Sequence, residues 1–302
     1  MSWQAVALKT IFRAKGFFFP SGEELDIPRE RAVLEGYTKV FKPPGNVGVT
    51  RLDADGVPAA WIIPPGLETK RTLLYLHGGG YNAGSITSHL PLTGSLALTA
   101  KARVLAIDYR LAPEHAFPAA VEDALAAYRW LLKGSAQANQ IVVAGDSAGG
   151  GLTLSLLLSL REKGLPLPAA GVCLSPWTDL TCSGGSWETN ATIDFMLKRV
   201  TTLKAAKLYL GDADPRSPLA SPLFADLAGL PPLLIQVGSE EVLLSDSTLF
   251  ADKARLADVD VALENWKGMQ HVWQYSVNML PEARQAVNQI GEFIIQHTES
   301  VP

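Results

Sequence analysis

The chain is poor in the residues that mark disulfide-rich, membrane-spanning or secreted proteins. Cysteine occurs only at Cys173 and Cys182; their spacing allows a disulfide, but a pair of cytoplasmic thiols is the favoured interpretation. A membrane-spanning helix needs about twenty consecutive apolar residues, and the sequence has no such run. The N-terminal residues 1–9 lack the basic-then-apolar order of a signal peptide and indicate the start of an amphipathic helix instead. We therefore expect a cytoplasmic protein with no membrane span.

The chain also lacks a large excess of one charge and lacks residues at metal-ligand spacing. Lysine and arginine number 26 against 30 aspartate and glutamate residues, for a net charge of −4, which argues against nucleic acid as a partner. The five histidines and two cysteines form no cluster with metal-ligand spacing, so no metal is predicted. The 302 residues, 47% of them hydrophobic, are enough for one large α/β domain with a small accessory element.

One motif indicates chemistry directly. The apolar run 141–144 leads into Gly145-Asp146-Ser147-Ala148-Gly149, and an apolar helical stretch follows. In a Gly-x-Ser-x-Gly sequence between a strand and a helix, the chain turns sharply and exposes the serine hydroxyl. Glycine suits the crowded positions on either side, and the helix N-terminus favours developing negative charge. The pattern predicts Ser147 as a nucleophile, with Asp146 in a structural role.

A glycine-rich loop upstream complements this serine. The predicted strand at 72–76 ends in His77-Gly78-Gly79-Gly80. Acyl transfer passes through a tetrahedral oxyanion that backbone N–H groups can stabilise. In lipases and esterases these donors come from a glycine-rich loop after the third strand and from the residue after the nucleophile. We therefore predict an oxyanion hole made by Gly78, Gly79 and Ala148.

A serine nucleophile needs a base and an acid that orients it. His271 lies at the end of the last predicted strand, downstream of acidic residues, as the order serine, acid, histidine requires. The other histidines precede the serine or lie at the C-terminus: His77, His89, His115 and His297. Three acids near strand ends are candidates: Asp179, Glu240 and Glu241. Asp179 follows one strand too early for the usual order, whereas the adjacent glutamates start in opposite directions, so only one should reach the imidazole.

Five segments together resemble the bacterial branch of the hormone-sensitive lipase family of α/β-hydrolase carboxylesterases. They occur in that family's order at 75–81 (YLHGGGY), 108–115 (DYRLAPEH), 117–123 (FPAAVED), 145–150 (GDSAGG) and 175–177 (SPW). The resemblance covers most of the chain from about residue 37 onward. It implies an esterase with an α/β-hydrolase fold, a small cap and no cofactor. Asp108, Tyr109 and Arg110 are interpreted as a network that braces the glycine loop.

The resemblance also separates the two glutamates. In the family the acid, usually aspartate, is followed two residues later by leucine, and Glu241 with Leu243 fits this frame. The chain departs from the family by having Glu in place of Asp, and Val242 where proline is frequent. The predicted triad is therefore Ser147, His271 and Glu241.

The order of elements predicts the architecture. A hairpin at 47–63 precedes alternating strands and helices, which is typical of a mostly parallel, doubly wound sheet, here of eight strands. Residues 1 to about 40 read as irregular, with three adjacent phenylalanines, Phe17, Phe18 and Phe19. We assign residues 1–45 and 183–222 to the cap, and residues 46–182 and 223–302 to the catalytic core. Candidate pocket residues are Tyr81, Trp187 and Phe195.

These features together predict a carboxylesterase whose partner is a small-molecule ester. The small cap favours short to medium acyl chains, roughly two to eight carbons, in a single pocket. An amide hydrolase with the same triad, or a non-catalytic receptor on the same fold, is the alternative. A homodimer is also predicted, since an apolar last strand at the edge of the sheet invites pairing.

Overall fold

A computed structural model describes residues 1–15, 25–134 and 136–298. Its centre is an eight-stranded sheet in the order β1-β2-β4-β3-β5-β6-β7-β8. The strands are β1 (Gly48–Asp53), β2 (Pro58–Ile63), β3 (Thr72–Leu76), β4 (Arg103–Ile107), β5 (Ile141–Asp146), β6 (Ala170–Leu174), β7 (Leu233–Gly238) and β8 (Val261–Trp266). Strand β2 runs antiparallel to both neighbours, and the other adjacent pairs are parallel. The predicted mostly parallel α/β-hydrolase sheet is confirmed.

Helices cover both faces of this sheet. They are α1 (Trp3–Lys15), α2 (Ile27–Glu35), α3 (Tyr37–Val40), α4 (Ile86–Thr99), α5 (Ala119–Lys133), α6 (Ala148–Glu162), α7 (Ser186–Thr189), α8 (Arg199–Leu210), α9 (Leu244–Leu256) and α10 (Pro281–Thr298). Successive strand residues feed two apolar layers: Leu74 and Leu76 pack in one, Leu73 and Tyr75 in the other. This two-residue alternation places every side chain of β3 in a core.

The helix start predicted at residues 1–9 agrees with α1, but the prediction that residues 1 to about 40 are otherwise irregular was wrong. Helices α1, α2 and α3 occupy most of the described part of this segment; the three phenylalanines at 17–19 lie outside the described residues. Helix α2 has a local start signal, because the Asp26 side chain accepts the N–H of Arg29 at 3.0 Å and Pro28 stands in the first turn. Tertiary packing adds to this: Tyr37 and Phe41 contact the ring of Tyr275.

The two cysteines are buried and free. Cys173 lies in β6, as predicted, and Cys182 lies in the loop that leads to α7. Burial raises the pKa of both thiols well above its ordinary value. Both sulfurs therefore behave as small apolar core groups.

Candidate active site

Ser147 stands at a sharp turn between β5 and α6. Its backbone has φ 54 and ψ −120, a conformation that residues with a side chain rarely adopt. A Cβ atom on Gly145 would lie 2.2 Å from the carbonyl oxygen of Gly149, and one on Gly149 would lie 2.0 Å from that of Leu76. Glycine is therefore required on both sides of the serine. The strand, turn and helix that the motif predicts are all present.

The strained turn is held from the neighbouring strand. The Ser147 N–H donates to the carbonyl of Leu174 at 2.8 Å, and the Ser147 carbonyl accepts the N–H of Trp177 at 3.0 Å. Both partners belong to β6 and the loop after it. The serine is thus fixed by backbone contacts at the carboxyl ends of parallel strands, where ligands bind in open α/β sheets.

Glu241 and His271 form a hydrogen-bonded pair, and His271 lines the same cavity as Ser147. The Glu241 Oε2 atom lies 2.8 Å from His271 Nδ1. The other carboxylate oxygen, Oε1, accepts from the Ser175 hydroxyl at 2.8 Å and from the Gly238 N–H at 2.6 Å. Glu241 is completely buried, so these bonds compensate its desolvation. Because Glu241 engages Nδ1, Nε2 is the ring nitrogen that remains for proton transfer.

The two rival acids have other partners. Glu240 binds Lys9 of α1 and accepts from Gln270 Nε2 at 2.5 Å. Asp179 accepts the N–H and the hydroxyl of both Thr181 and Ser183 at 2.5–3.0 Å. The structure therefore brings Glu241, and neither of these residues, to the histidine.

The surroundings of His271 favour its protonated form. Burial alone would lower the pKa of His271, but the hydrogen bond and the negative charge of Glu241 raise it above its ordinary value. The carboxylates of Asp194 and Asp146 act in the same direction. An imidazolium formed at this position is thus stabilised by three negative charges.

The glycine loop differs from prediction at one residue. The Gly78 N–H donates to Asp146 Oδ1 at 3.1 Å, so, contrary to the prediction, it is not free to serve as an oxyanion donor. Gly79 and Gly80 line the cavity beside Ser147, and both have positive φ. The N–H groups of Gly79, Gly80 and Ala148 donate to no partner within the described parts of the chain. The run of three glycines in the sequence predicts the loop, but it does not indicate which of their N–H groups face the pocket.

Asp146 and its partners form a buried polar network that contacts the glycine loop. The Asp146 carboxylate accepts from the Tyr75 hydroxyl at 2.7 Å and lies 3.3 Å from His89 Nε2. Burial opposes ionisation of Asp146, yet the charge and hydrogen bond of His89 hold the pKa of this carboxyl below its ordinary value. The structural role expected for Asp146 agrees with these contacts.

The segment 108–110 braces the same loop. The Tyr109 hydroxyl donates to the His77 carbonyl at 2.7 Å, and the two rings stack at 4.2 Å. Burial and the neighbouring His89 lower the pKa of His77 to about 4, so its ring is neutral near pH 7. The Asp108 carboxylate accepts the N–H of Ile86 at 2.6 Å, at the start of α4. These contacts fit the network that the sequence indicated.

A cavity of about 340 Å³ lies over Ser147 and His271. Its walls come from the N-terminal helices, through side chains such as Leu8, Phe12 and Leu34, and from the segment 192–205, which includes Phe195. Of the three predicted pocket residues, Phe195 is placed correctly.

Tyr81 and Trp187 are core residues, and their prediction as pocket residues was wrong. Tyr81 adopts φ 63 at the end of the glycine loop, stacks on Tyr209 at 3.7 Å and is absent from the cavity wall. Trp187 is buried in the same apolar layer. Both aromatic rings are buried, so each contributes a large apolar area to the core.

Similarity to known proteins agrees with this geometry. The sequence pattern of a family described as having the alpha/beta hydrolase fold matches residues 73–275. An acetyl-hydrolase from Streptomyces hygroscopicus is 47% identical over 261 residues, which cover 85% of this chain and 87% of that protein.

Solved structures agree as well. An esterase from the bacterial hormone-sensitive lipase family superposes with a TM-score of 0.93 at 44% identity, covering 99% of both chains. The esterase EstE5, soaked with p-nitrophenyl butyrate, gives a TM-score of 0.94 at 44% identity, covering 99% of this chain and 100% of that one.

The chain therefore belongs to the α/β-hydrolase fold family and, within it, to the bacterial hormone-sensitive lipase family of carboxylesterases. It is an enzyme that hydrolyses carboxylic esters. Among the residues that the structure describes, none of the helices combines the length and the apolar character needed to cross a bilayer.

Proposed function

We propose that this carboxylesterase hydrolyses small esters through a triad of Ser147, His271 and Glu241. His271 and Ser147 line the same cavity. The observation that carries the proposal is the 2.8 Å contact between Glu241 Oε2 and His271 Nδ1. This contact fixes the imidazole tautomer with Nε2 unprotonated and free to accept a proton.

The first half of the reaction forms an acyl-enzyme. Ser147 Oγ attacks the ester carbonyl carbon while His271 Nε2 takes the hydroxyl proton. The carbonyl oxygen becomes an oxyanion that accepts hydrogen bonds from the N–H groups of Gly79, Gly80 and Ala148. The intermediate collapses, the carbon–oxygen bond to the alcohol breaks, and the alcohol leaves with the proton from His271.

The second half releases the acid. Water attacks the acyl carbon, His271 takes the water proton, and the same three amides receive the new oxyanion. Collapse returns the proton to Ser147 Oγ and frees the carboxylic acid. Glu241 keeps its charge throughout and stabilises the imidazolium in both halves. The cycle consumes ester and water and requires no cofactor.

We also propose a preference for short to medium acyl chains. A cavity of about 340 Å³ is near the lower end of small-molecule pockets, which span about 300–1,000 Å³. Residues 1–45 and 183–222 act as the cap in this proposal, since side chains from both segments line the cavity. The relative EstE5 was soaked with a butyrate ester, and a butyryl chain falls within the proposed range.

Covalent labelling tests the nucleophile. A fluorophosphonate should add one equivalent to the protein, on the peptide that contains Ser147, with complete loss of p-nitrophenyl butyrate hydrolysis. Labelling of a different serine, or full activity in fully labelled protein, would refute the proposal. Parallel assays with p-nitrophenyl butyrate and butyryl p-nitroanilide should show ester turnover far above anilide turnover; the reverse would favour an amide hydrolase.

A further inference from the structure

The cap carries a buried carboxylate that the reaction above does not use. Asp194, in the loop between α7 and α8, is completely buried and lines the same cavity as Ser147 and His271. Its Oδ1 atom accepts the N–H groups of Met196 at 2.8 Å and Leu197 at 3.0 Å. One oxygen of this carboxylate is therefore committed to shaping the cap loop itself.

The second oxygen reaches the catalytic core. Asp194 Oδ2 accepts the N–H of Val242 at 2.9 Å. From the same cap segment, Asn190 Nδ2 donates to the carbonyl of Glu241 at 2.7 Å. The peptide bond that joins Glu241 to Val242 is thus held at both its oxygen and its nitrogen by side chains of the cap. A buried peptide fixed at both ends gives the Glu241 side chain a defined starting point.

Asp194 also adds charge near the base. The carboxylates that act on His271 come from three elements: Glu241 after β7, Asp194 in the cap and Asp146 at the end of β5. Charged side chains of other elements also line the cavity: Glu30 of α2, Lys9 of α1 and Lys198 of the cap. Lys9 is paired with Glu240, and the Lys198 ammonium donates to the carbonyls of Ala191 and Asp194. The negative charge of Asp194 consequently adds to that of Glu241.

We infer that Asp194 is a positioning residue of this esterase, which holds the Glu241–Val242 peptide from the cap and adds negative charge beside His271. A cap that is displaced therefore loosens the acid of the triad as well as opening the pocket. The inference rests on the triad proposed above, because Asp194 acts through Glu241 and His271.

Replacement of Asp194 by Asn tests the inference. The variant keeps the size but removes the charge, and its one acceptor oxygen cannot serve three N–H groups. We expect kcat for p-nitrophenyl butyrate to fall about ten- to hundredfold, with KM changed less than about threefold, because a group that acts on the triad affects chemistry more than binding. The acid limb of kcat/KM reports the pKa of His271 in the free enzyme. It should move to lower pH, because removing a nearby negative charge lowers this pKa.

Two further variants separate this role from general damage. Asp179→Asn changes a buried carboxylate whose partners are Thr181 and Ser183; it should lower kcat less than Asp194→Asn does and leave the acid limb unchanged. Val242→Pro removes the N–H that Asp194 accepts and leaves the charge of Asp194 in place; we expect a smaller loss of kcat, with the acid limb unchanged. Thermal melts check that each variant is folded.

Wild-type kcat and acid limb in Asp194→Asn would overturn the inference, as would equal losses in Asp194→Asn and Asp179→Asn. Should Asp194→Asn fail to fold, an unchanged kcat in folded Val242→Pro would overturn it instead. Ser147→Ala is measured beside these variants. Activity that survives in Ser147→Ala would refute the triad. If Ser147→Ala is inactive but Asp194→Asn behaves like the wild type, only the role of the cap carboxylate is refuted.

Discussion

The active site has two halves, one built from the catalytic core and one from the cap, and each half is held in place by a different kind of contact. In the core half, short buried hydrogen bonds fix Glu241, Asp146 and the glycine loop, and close backbone approaches fix the turn at Ser147. In the cap half, apolar side chains of α1, α2 and the segment after α7 surround the cavity. Directional bonds define reacting geometry, whereas apolar packing defines volume. Substitutions of the apolar cap side chains should therefore change substrate size, whereas substitutions of the hydrogen-bonded groups, including Asp194 of the cap, should change the chemistry.

The largest effect should follow a change at the core serine. Ser147→Ala removes the attacking oxygen while leaving a small side chain at the strained turn. We expect kcat to fall on the order of a million-fold, as for loss of the nucleophile in a well-studied serine hydrolase. Ester hydrolysis by purified protein, with circular dichroism to confirm folding, checks this. Residual activity within tenfold of wild type would show that another group attacks the ester.

The acid of the triad should give the next largest effect. Glu241→Gln keeps the size of the side chain but removes the charge that orients and stabilises the imidazolium. A comparable acid removal in another serine hydrolase costs about ten-thousand-fold in kcat, and we expect a loss approaching that size here.

The other two candidate acids are the matched controls for Glu241. Glu240→Gln and Asp179→Asn should stay within about tenfold of wild type, because their side chains bind Lys9, Gln270, Thr181 and Ser183 and not the histidine. If kcat were lost in Glu240→Gln and retained in Glu241→Gln, the acid of the triad would be Glu240.

Ser175 should show how far the support of the acid matters. Its hydroxyl donates to Glu241 Oε1 at 2.8 Å and accepts the N–H of Val272 at 3.2 Å. A hydrogen bond to a charged group contributes about 1.5–3 kcal/mol. Because Gly238 still binds the same oxygen, we expect Ser175→Ala to lower kcat about tenfold. Ser183→Ala, which removes a donor to Asp179 instead, should leave kcat unchanged, and equal losses in both variants would contradict the assignment.

The cap should give a smaller effect of a different kind. Phe12 of α1 lines the cavity, whereas the adjacent Ile11 is 48% exposed and does not. Phe12→Ala should enlarge the pocket, raise KM for butyrate a few-fold and shift the preference toward longer acyl chains. A series of p-nitrophenyl esters from acetate to laurate checks this, with Ile11→Ala as the control. An identical profile in both variants would remove α1 from the pocket.

Removing the cap helices tests the same region more severely. Deletion of residues 1–35 should expose the apolar cavity wall, lower activity and promote aggregation, because a large exposed apolar patch favours association. Efficient hydrolysis of long-chain triglycerides at an oil–water interface, by the intact or the shortened chain, would contradict the account of the cap.

The dimer prediction concerns neither half of the site. Strand β8 ends the sheet, and Ala262 on it is exposed. An unpaired edge strand can pair with a second copy, so we expect light scattering at micromolar concentration to give the mass of a dimer. Ala262→Lys should weaken association without changing kcat. A wild-type monomer under these conditions would end this prediction.

The same contrast explains what could be predicted from the sequence. The crowding around Gly145 and Gly149 is local, so the motif already required the turn that exposes Ser147. His271 followed from the order of the strands, and the choice of Glu241 over Glu240 followed from the family frame. These residues lie at strand ends, where chain order and sheet position are tightly linked.

Features that depend on contacts between distant segments could not be predicted. Gly78 is withdrawn from the pocket because Asp146, far along the chain, accepts its N–H. Tyr81 is turned into the core by its stack on Tyr209 of α8. Helix α1 contacts the active-site loops through Lys9 and Glu240. No local pattern encodes such pairings, because each depends on where the completed sheet and cap place the partner.

The hydrogen bond between Glu241 and His271 is the central claim, and the histidine proton reports it directly. Proton NMR of the wild type should show a strongly downfield resonance for the Nδ1 proton of His271. We expect this resonance to disappear or move far upfield in Glu241→Gln and to stay in place in Glu240→Gln. A resonance that persists in Glu241→Gln but is lost in Glu240→Gln would contradict the account.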